Sequence, residues 1–431
     1  MPIIRTSRRI RTQKTPFRFA EYRPGKTLGP VTCVTPDDAS YIHTFYDICP
    51  WSPSQRYLLV SRLPFQDREP VFGDTADVCL VDLHERTIET LYTTTCWGLQ
   101  LGTQAQWGNS DRYVFTNDFV DGSGRGIRID LESDEITVYS GPLGHISPDG
   151  STMVGFTLNY MNATQSGYGM PDHPDLPSTL PAGAADDEGI WETDLGSGGT
   201  RLLFPLARGA EVIPNPERFA GGTYYYFMVK YNPQGTRILE ILRCTKPDAA
   251  GNRHSQALTH AADGTDAALT VGYDLEQASW KRPDWAPGGH HISWTADGEH
   301  LTMNLLPDGK NLRFCRFRYD GSELEVLCPD ILGSGHPRLH PAGRFLSSDA
   351  YTGEPVVGDQ VEVPIRLIDL FASEEHEVCR IYTFGDRPSQ RASVLRCDPH
   401  PAWSRDGNQL CFNGAPNGKR QVLIADLSGV V

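Results

Sequence analysis

A short turn that recurs seven times along the chain limits its fold more than any other feature. Each copy has an apolar residue, then Ser-Pro-Asp-Gly or a close variant, then an apolar strand. The copies begin at Trp51, Trp107, Ile146, Tyr231, Trp294, Leu339 and Trp403. Proline at the second turn position presets φ, and glycine at the end tolerates a positive φ. A second signal follows each turn. A later strand ends in apolar-Asp-Leu, at Val81, Ile129, Thr193, Tyr273, Ile368 and Ala425, with Arg318-Tyr-Asp-Gly as the variant. Small sheets of this kind cannot bury two faces alone, and radial stacking buries both while leaving only short edges. The pattern predicts an all-β fold, a seven-bladed β-propeller spanning residues 1–431 as one domain. The last unit ends near Leu427, so the segment around residues 15–35 is expected to supply the strand that closes the ring. Residues 160–189, 245–270 and 351–364 read as loop insertions, and such long loops are usually functional lids or disordered surface.

Charge narrows the function. The 431 residues carry a formal net charge of −15, which excludes general nucleic-acid binding. Residues 1–25 are the exception, a basic arm with Arg5, Arg8, Arg9, Arg11, Lys14, Arg18 and Arg23, and Lys26 just beyond. It reads as a solvated or strand-donating terminus. No apolar run is long enough for a membrane span, and no signal-like apolar stretch follows the arm. The ten cysteines show no paired spacing, and Cys79, Cys244, Cys315 and Cys411 sit in apolar runs as small core residues. A reducing cytoplasm is the expected compartment, with a mature secreted form the alternative.

The repeat also supplies a ruler. Three residues before the turn's apolar residue, the units carry Ile48, Gln104, Leu143, Met228, His291, His336 and His400. Histidine thus fills one structural position in three consecutive units. In a propeller that position approaches the innermost strand, so these imidazoles should face one another around the axis. Three converging imidazoles suit a divalent metal such as zinc or manganese. His290 and Asp398 flank the cluster as a further ligand or an orienting partner. Arg338 follows His336 by two residues, a spacing that in a strand puts both on one face, where the arginine could clamp a carboxylate. His43 and Tyr46 precede the first turn and are candidates for the channel mouth. His84, His173, His254, His260, His300 and His376 read as surface residues.

Three stretches resemble oligogalacturonate lyase: Gly-Gly-His-His-Ile-Ser-Trp-Thr-Ala-Asp-Gly around His291, Ser-Gly-His-Pro-Arg-Leu-His-Pro-Ala-Gly around His336, and Asp-Pro-His-Pro-Ala-Trp-Ser-Arg-Asp-Gly around His400. The stretches His43-Thr-Phe-Tyr-Asp and Trp97-Gly-Leu-Gln-Leu-Gly are closer to propeller lyases acting on ulvan or on rhamnosyl-glucuronate ends. The resemblance implies a polysaccharide lyase that breaks a bond 4-linked to a uronic acid by β-elimination. Its substrate would be a uronic-acid-containing oligosaccharide or polysaccharide. Its cofactor would be a divalent metal, manganese, zinc or calcium. It implies His336 and His400 as metal ligands and His291 as catalytic base. Asp398 stands where the family has a ligand histidine, and Leu395 falls near the family's ligand glutamine. Tyr168, in Ser-Gly-Tyr-Gly, falls where related lyases place a tyrosine acid. Where ulvan-type relatives carry a histidine pair, this chain offers Gln100, Gln104, Asn117 and Asp118, with Gln104 and Asn117 expected to bind substrate alongside His43. The competing reading is a TolB-like propeller that binds a protein or sugar without chemistry.

Overall fold

The structure, a computed structural model, describes residues 4–6, 11–23, 25–213, 219–245, 253–270, 290–385 and 394–431. The turns form as their residues dictate. Gly150, Gly235, Gly298, Gly343 and Gly407 all take positive φ, between 69° and 80°, and Gln55 does so in the first unit. Each closes a hydrogen bond to the residue three before it, as Gly150 N–H does to Ser147 O at 2.8 Å. The hydroxyl of Ser147 bonds the Asp149 carboxylate at 2.6 Å, and Ser404 repeats this with Asp406 at 2.6 Å. The Asp of apolar-Asp-Leu has its own task. Asp82, Asp130 and Asp369 each accept two backbone N–H groups in the turn that follows. The same three carboxylates pair with Arg56, Arg112 and Arg344 at the start of the neighbouring strand.

These turns join seven antiparallel sheets. The first blade runs outward through Ser40–Ile42, Tyr57–Leu63, Ala76–Asp82 and Thr87–Thr94. The next five begin at Gln106–Trp107, His145–Ile146, Thr223–Tyr231, His290–Trp294 and Arg338–Leu339. The last blade comprises Ala402–Trp403, Gln409–Gly414 and Gln421–Asp426, and the N-terminal strand Val31–Cys33 completes it by pairing Cys33 with Leu423. The expected closing strand is therefore present. Strand residues alternate to face both neighbouring blades, so the apolar core lies between sheets. Val363–Asp369 is buried along its whole length. The ten cysteines are unpaired, and eight of them are buried.

The basic arm donates short strands to the outer edges of blades, while residues 12–16 and Arg18 stay exposed to solvent. Ile4–Thr6 pairs with Ile136–Val138, and Thr15–Pro16 pairs with Thr87–Thr94. Arg11 bonds Glu89 at 2.6 and 3.0 Å. Arg8 and Arg9 lie outside the described residues, as does Tyr273. No described helix is long and apolar enough to cross a membrane.

One loop expectation needs correction. Residues 245–270 are not an insertion: Arg253–Ala261 is the third strand of the fourth blade. Its polar composition hid it, because Gln256 and His260 are buried polar residues on a strand. His260 is accordingly fully buried, not a surface residue, and His254 lies on the same strand. His300 and His376 also lie on strands, half-buried, and His84 is exposed. Residues 160–189 do form a long excursion between Thr152–Gly155 and Gly189–Asp194. It folds back across the channel face, with Gln100 N–H on Gly167 O at 3.1 Å and Arg243 on Gln165 at 2.7 Å.

Candidate metal centre at the propeller axis

The ruler position has a backbone peculiarity that aims its side chain. Gln104, His291 and His400 all have positive φ, at 56°, 61° and 51°. Such a conformation is uncommon outside glycine and persists only where surrounding contacts over-determine it. In the sixth blade Gly335 takes the positive φ instead, at 46°, one residue before His336. A Cβ on Gly335 would collide with the main chain of Asp349, so glycine is required there.

The three imidazoles converge. His336 and His291 have ring centroids 3.8 Å apart, and His336 and His400 are 4.3 Å apart. A fourth ring, His43 from the first blade, lies 6.5 Å from His400. His43, His336 and His400 have no exposed surface, while His291 keeps a partly exposed edge. Four consecutive blades around the ring, the fifth, sixth, seventh and first, thus contribute one histidine each.

Asp349 organises the cluster. Its carboxylate accepts the backbone N–H of His336 at 2.7 Å and of His400 at 3.0 Å, and His336 Nδ1 lies 2.9 and 3.0 Å from its two oxygens. A carboxylate can only accept here, so His336 carries a proton on Nδ1 and turns Nε2 toward the other rings. His291 is fixed likewise. Its Nδ1 is 2.6 Å from the Gly335 carbonyl, which also only accepts, and burial keeps the ring neutral, so its Nε2 is bare. The Nε2 atoms of His291 and His336 both lie 3.3 Å from the Tyr351 hydroxyl. Burial, reinforced by the neighbouring imidazoles, holds His291 and His400 well below the ordinary histidine pKa. Burial lowers His43 to about 4 and His290 to about 3. These rings are neutral at pH 7, the form in which imidazole ligates metal.

His336, Asp398 and His400 offer donor atoms within 4.8 Å of one another. Among the described residues, neither ring nitrogen of His400 has a hydrogen-bond partner, although both are buried, and the same holds for His43. A buried imidazole with no partner calls for a group to satisfy it. Two nitrogens and a carboxylate oxygen suit zinc or manganese. The residues present therefore fit a divalent ion, with one modification: Asp398 also receives Arg396 Nε, at 2.9 and 3.1 Å. Arg396 in turn reaches the Tyr168 hydroxyl at 3.3 Å and lies 5.6 Å from the Tyr351 ring centroid.

No family model and no curated protein matches the sequence. Solved structures do match the fold. An oligogalacturonate lyase in complex with manganese aligns with a TM-score of 0.65 at 16% identity, over 96% of this chain and 97% of that one. An oligogalacturonate lyase from Vibrio parahaemolyticus aligns with a TM-score of 0.64 at 14% identity, over 96% and 98%. The chain has the oligogalacturonate lyase propeller fold. At these identities the likeness fixes the path of the chain, and the side chains must be read on their own.

Within that oligogalacturonate-lyase-type ring, the remaining candidates divide. Tyr168 packs its ring against Phe227 at 5.3 Å and turns its hydroxyl to Arg396, beside Asp398. Gln104 and Asn117 serve the framework. The Asn117 amide bonds Leu143 through both ends at 2.8 Å, and Gln104 links Asn117 at 3.2 Å to the Tyr168 carbonyl at 2.8 Å. Both amides are spent internally, so neither is presented to a substrate as expected. Arg338 points away from the histidines and donates to the Trp294 carbonyl at 2.7 Å. The inner strand of its blade is only Arg338–Leu339, so His336 stands before the strand and the two-residue alternation does not extend to it. His290 meets the cluster through His291, with Nδ1 to Nδ1 at 2.6 Å. Asp349, Tyr351 and Arg396 were not singled out in the sequence. Asp349 and Tyr351 follow the second strand of the sixth blade, Phe345–Ser348, and no repeat signal marks that position.

Proposed function

We propose that the protein is a metal-assisted lyase that cleaves bonds 4-linked to a uronic acid by β-elimination, acting on uronate-containing oligosaccharides. The observation that carries this reading is the pair of Nε2 atoms, of His291 and His336, flanking one tyrosine hydroxyl beside a buried donor set. The oligogalacturonate lyase fold supports it.

Elimination needs three things: neutralisation of the substrate carboxylate, removal of the C5 proton and protonation of the departing O4. His336, His400 and Asp398 would hold the divalent ion, which supplies positive charge to stabilise the carboxylate as C5 becomes carbanionic. Asp349 keeps the His336 proton on Nδ1 and so keeps Nε2 available. Arg396 adds a second positive charge at the same place. Partly exposed His291 offers its bare Nε2 to the C5 proton, as a neutral base. The hydroxyls of Tyr168 and Tyr351 are the two acids within reach. Burial raises the pKa of both, keeping them protonated as proton donors, and the positive charge of Arg396 partly opposes the rise.

The test is incubation with a panel of uronate oligosaccharides, following the ultraviolet absorbance of an unsaturated uronate product with and without chelator. The expected result is metal-dependent product formation that His291→Ala lowers at least about a hundredfold while the fold is retained. Absence of product from every glycan, or a fully active His291→Ala, would overturn the reading.

A further inference from the structure

The donor set at the axis is sealed. His336 and His400 have no exposed surface and Asp398 is 5% exposed, so neither an ion nor a sugar oxygen reaches them in this conformation. A blade cannot swing aside to admit one, because its faces are packed against its neighbours and the ring is closed. The excursion that crosses the channel face is different, since residues 160–179 belong to no sheet.

The two ends of that span are pinned. Asn159 donates to the Gly122 carbonyl of the second blade at 3.0 Å, and Leu180 N–H donates to the Tyr225 hydroxyl of the fourth at 3.1 Å. Gly183 N–H follows, on Gly222 O at 2.7 Å. Between the pins the chain reaches the entry to the seventh blade. There a Cβ on Gly167 would press on the Val394 side chain, and the Tyr168 hydroxyl meets Arg396 at 3.3 Å, the group that holds Asp398.

The underside of the span is apolar: Met161, Tyr168 and Met170 are buried in the main hydrophobic cluster. Its rim is fastened by side chains and single main-chain bonds rather than by a ladder. Gln100 N–H reaches Gly167 O at 3.1 Å, and the Gln104 amide reaches Tyr168 O at 2.8 Å. Ser166 donates to Glu69 at the surface, at 2.9 Å. The half-buried His173 ring sits in a slot between Phe72 and Phe119, with centroids 4.3 and 5.1 Å away. Apolar burial favours the closed state, and local contacts of this kind open far more readily than a packed sheet.

We propose that residues 160–179 are a lid, hinged at Asn159 and Leu180, that lifts to admit a metal ion or a substrate to His336, Asp398 and His400 and returns Tyr168 to Arg396 as it closes. The inference rests on the axial cluster being a metal centre and not on the sugar chemistry. An ion under such a lid enters and leaves only through the open state. A change that raises the open population therefore speeds both steps and leaves their ratio nearly unchanged.

Gly98→Ala supplies that change. Its Cβ would collide with the Gly167 main chain, so it props the lid without altering a residue at the axis. His173→Ala empties the aromatic slot, and it keeps the test decisive if Gly98→Ala fails to fold. Stopped-flow uptake of zinc, and its removal by excess chelator, should both be at least about tenfold faster in Gly98→Ala, with a dissociation constant within about threefold of wild type. His173→Ala should shift both rates in the same direction. Hydrogen exchange of the intact wild-type chain should show residues 160–179 opening while Val363–Asp369 stays protected. Three results would overturn the lid: unchanged uptake and release in the folded variants, faster release with uptake unaltered, or protection of residues 160–179 equal to that of Val363–Asp369. If the wild type takes up no zinc, the metal centre is refuted instead, and hydrogen exchange alone decides the lid.

Discussion

Replacing Asp349 with asparagine disturbs two histidines with one change of atom. The carboxylate holds the backbone N–H of His336 at 2.7 Å, the backbone N–H of His400 at 3.0 Å and the His336 Nδ1 proton. All three are donors. Asparagine keeps one oxygen and replaces the other with an NH2 group, so at least one donor then faces another donor. Losing one charge-assisted hydrogen bond costs about 1.5–3 kcal/mol. His336 also loses the anion that makes its Nε2 a strong ligand, and changes of this kind lower metal affinity about 10- to 100-fold. The expected variant is folded, less stable to denaturant by about 1.5–3 kcal/mol, and weaker for manganese or zinc by one to two orders of magnitude. Denaturant unfolding of the metal-free protein and calorimetric metal titration read the two effects separately. A variant with wild-type stability and wild-type metal affinity would refute the role given to Asp349.

Other outcomes follow from the same geometry. Gly335→Ala forces a Cβ into the Asp349 main chain at positive φ, so it should destabilise by more than about 1 kcal/mol and reduce metal retention, measured by unfolding and elemental analysis. Tyr351→Phe should leave the melting temperature close to wild type and slow product formation at least tenfold, read from the ultraviolet assay, since it removes only the hydroxyl shared by His291 and His336. Glu240 gives a pH signature unrelated to activity. Its carboxyl is buried without a hydrogen bond among the described residues, with His260 Nε2 3.6 Å away, and burial raises its pKa well above the ordinary value. A carboxyl that is neutral when folded but ionised when unfolded loses stability as pH rises above the unfolded value of about 4.3, by up to about 1.36 kcal/mol per pH unit. Glu240→Gln should therefore flatten the fall in denaturant midpoint between pH 5 and 8, and an unchanged slope would count against a protonated Glu240.

The ring was legible because its turns are built from residues with few alternatives. Proline and glycine at fixed places, and an aspartate that gathers the backbone of the next turn, announce a blade whatever else the strand contains. The axial histidines were legible for a related reason, since the ruler counts within one continuous strand entry. It failed in the first blade, where it selected Ile48. There the inner strand is broken: Ser40–Ile42 pairs with the second strand, Phe45 and Ile48 bridge each other, and the chain resumes at Trp51. His43 reaches the axis through this detour. The polar strand Arg253–Ala261 was misread because alternation of apolar residues is a poor guide where Glu240, Gln256 and His260 share an interior. Asp349, Tyr351 and Arg396 acquire their importance only from neighbours distant in sequence, and no local pattern carries that.

The closure of the seventh blade sets the order in which the site can come into being. Val31–Cys33 is synthesised long before its partner strand Gln421–Asp426, with the other six blades made in between. His43 and His400 lie on either side of that seam. A nascent or truncated chain can stack several blades and still hold these two imidazoles apart. Any metal the cluster takes would have to await that closure, and a circular permutation that opens the ring at another blade would change when the cluster assembles without altering any residue at the axis.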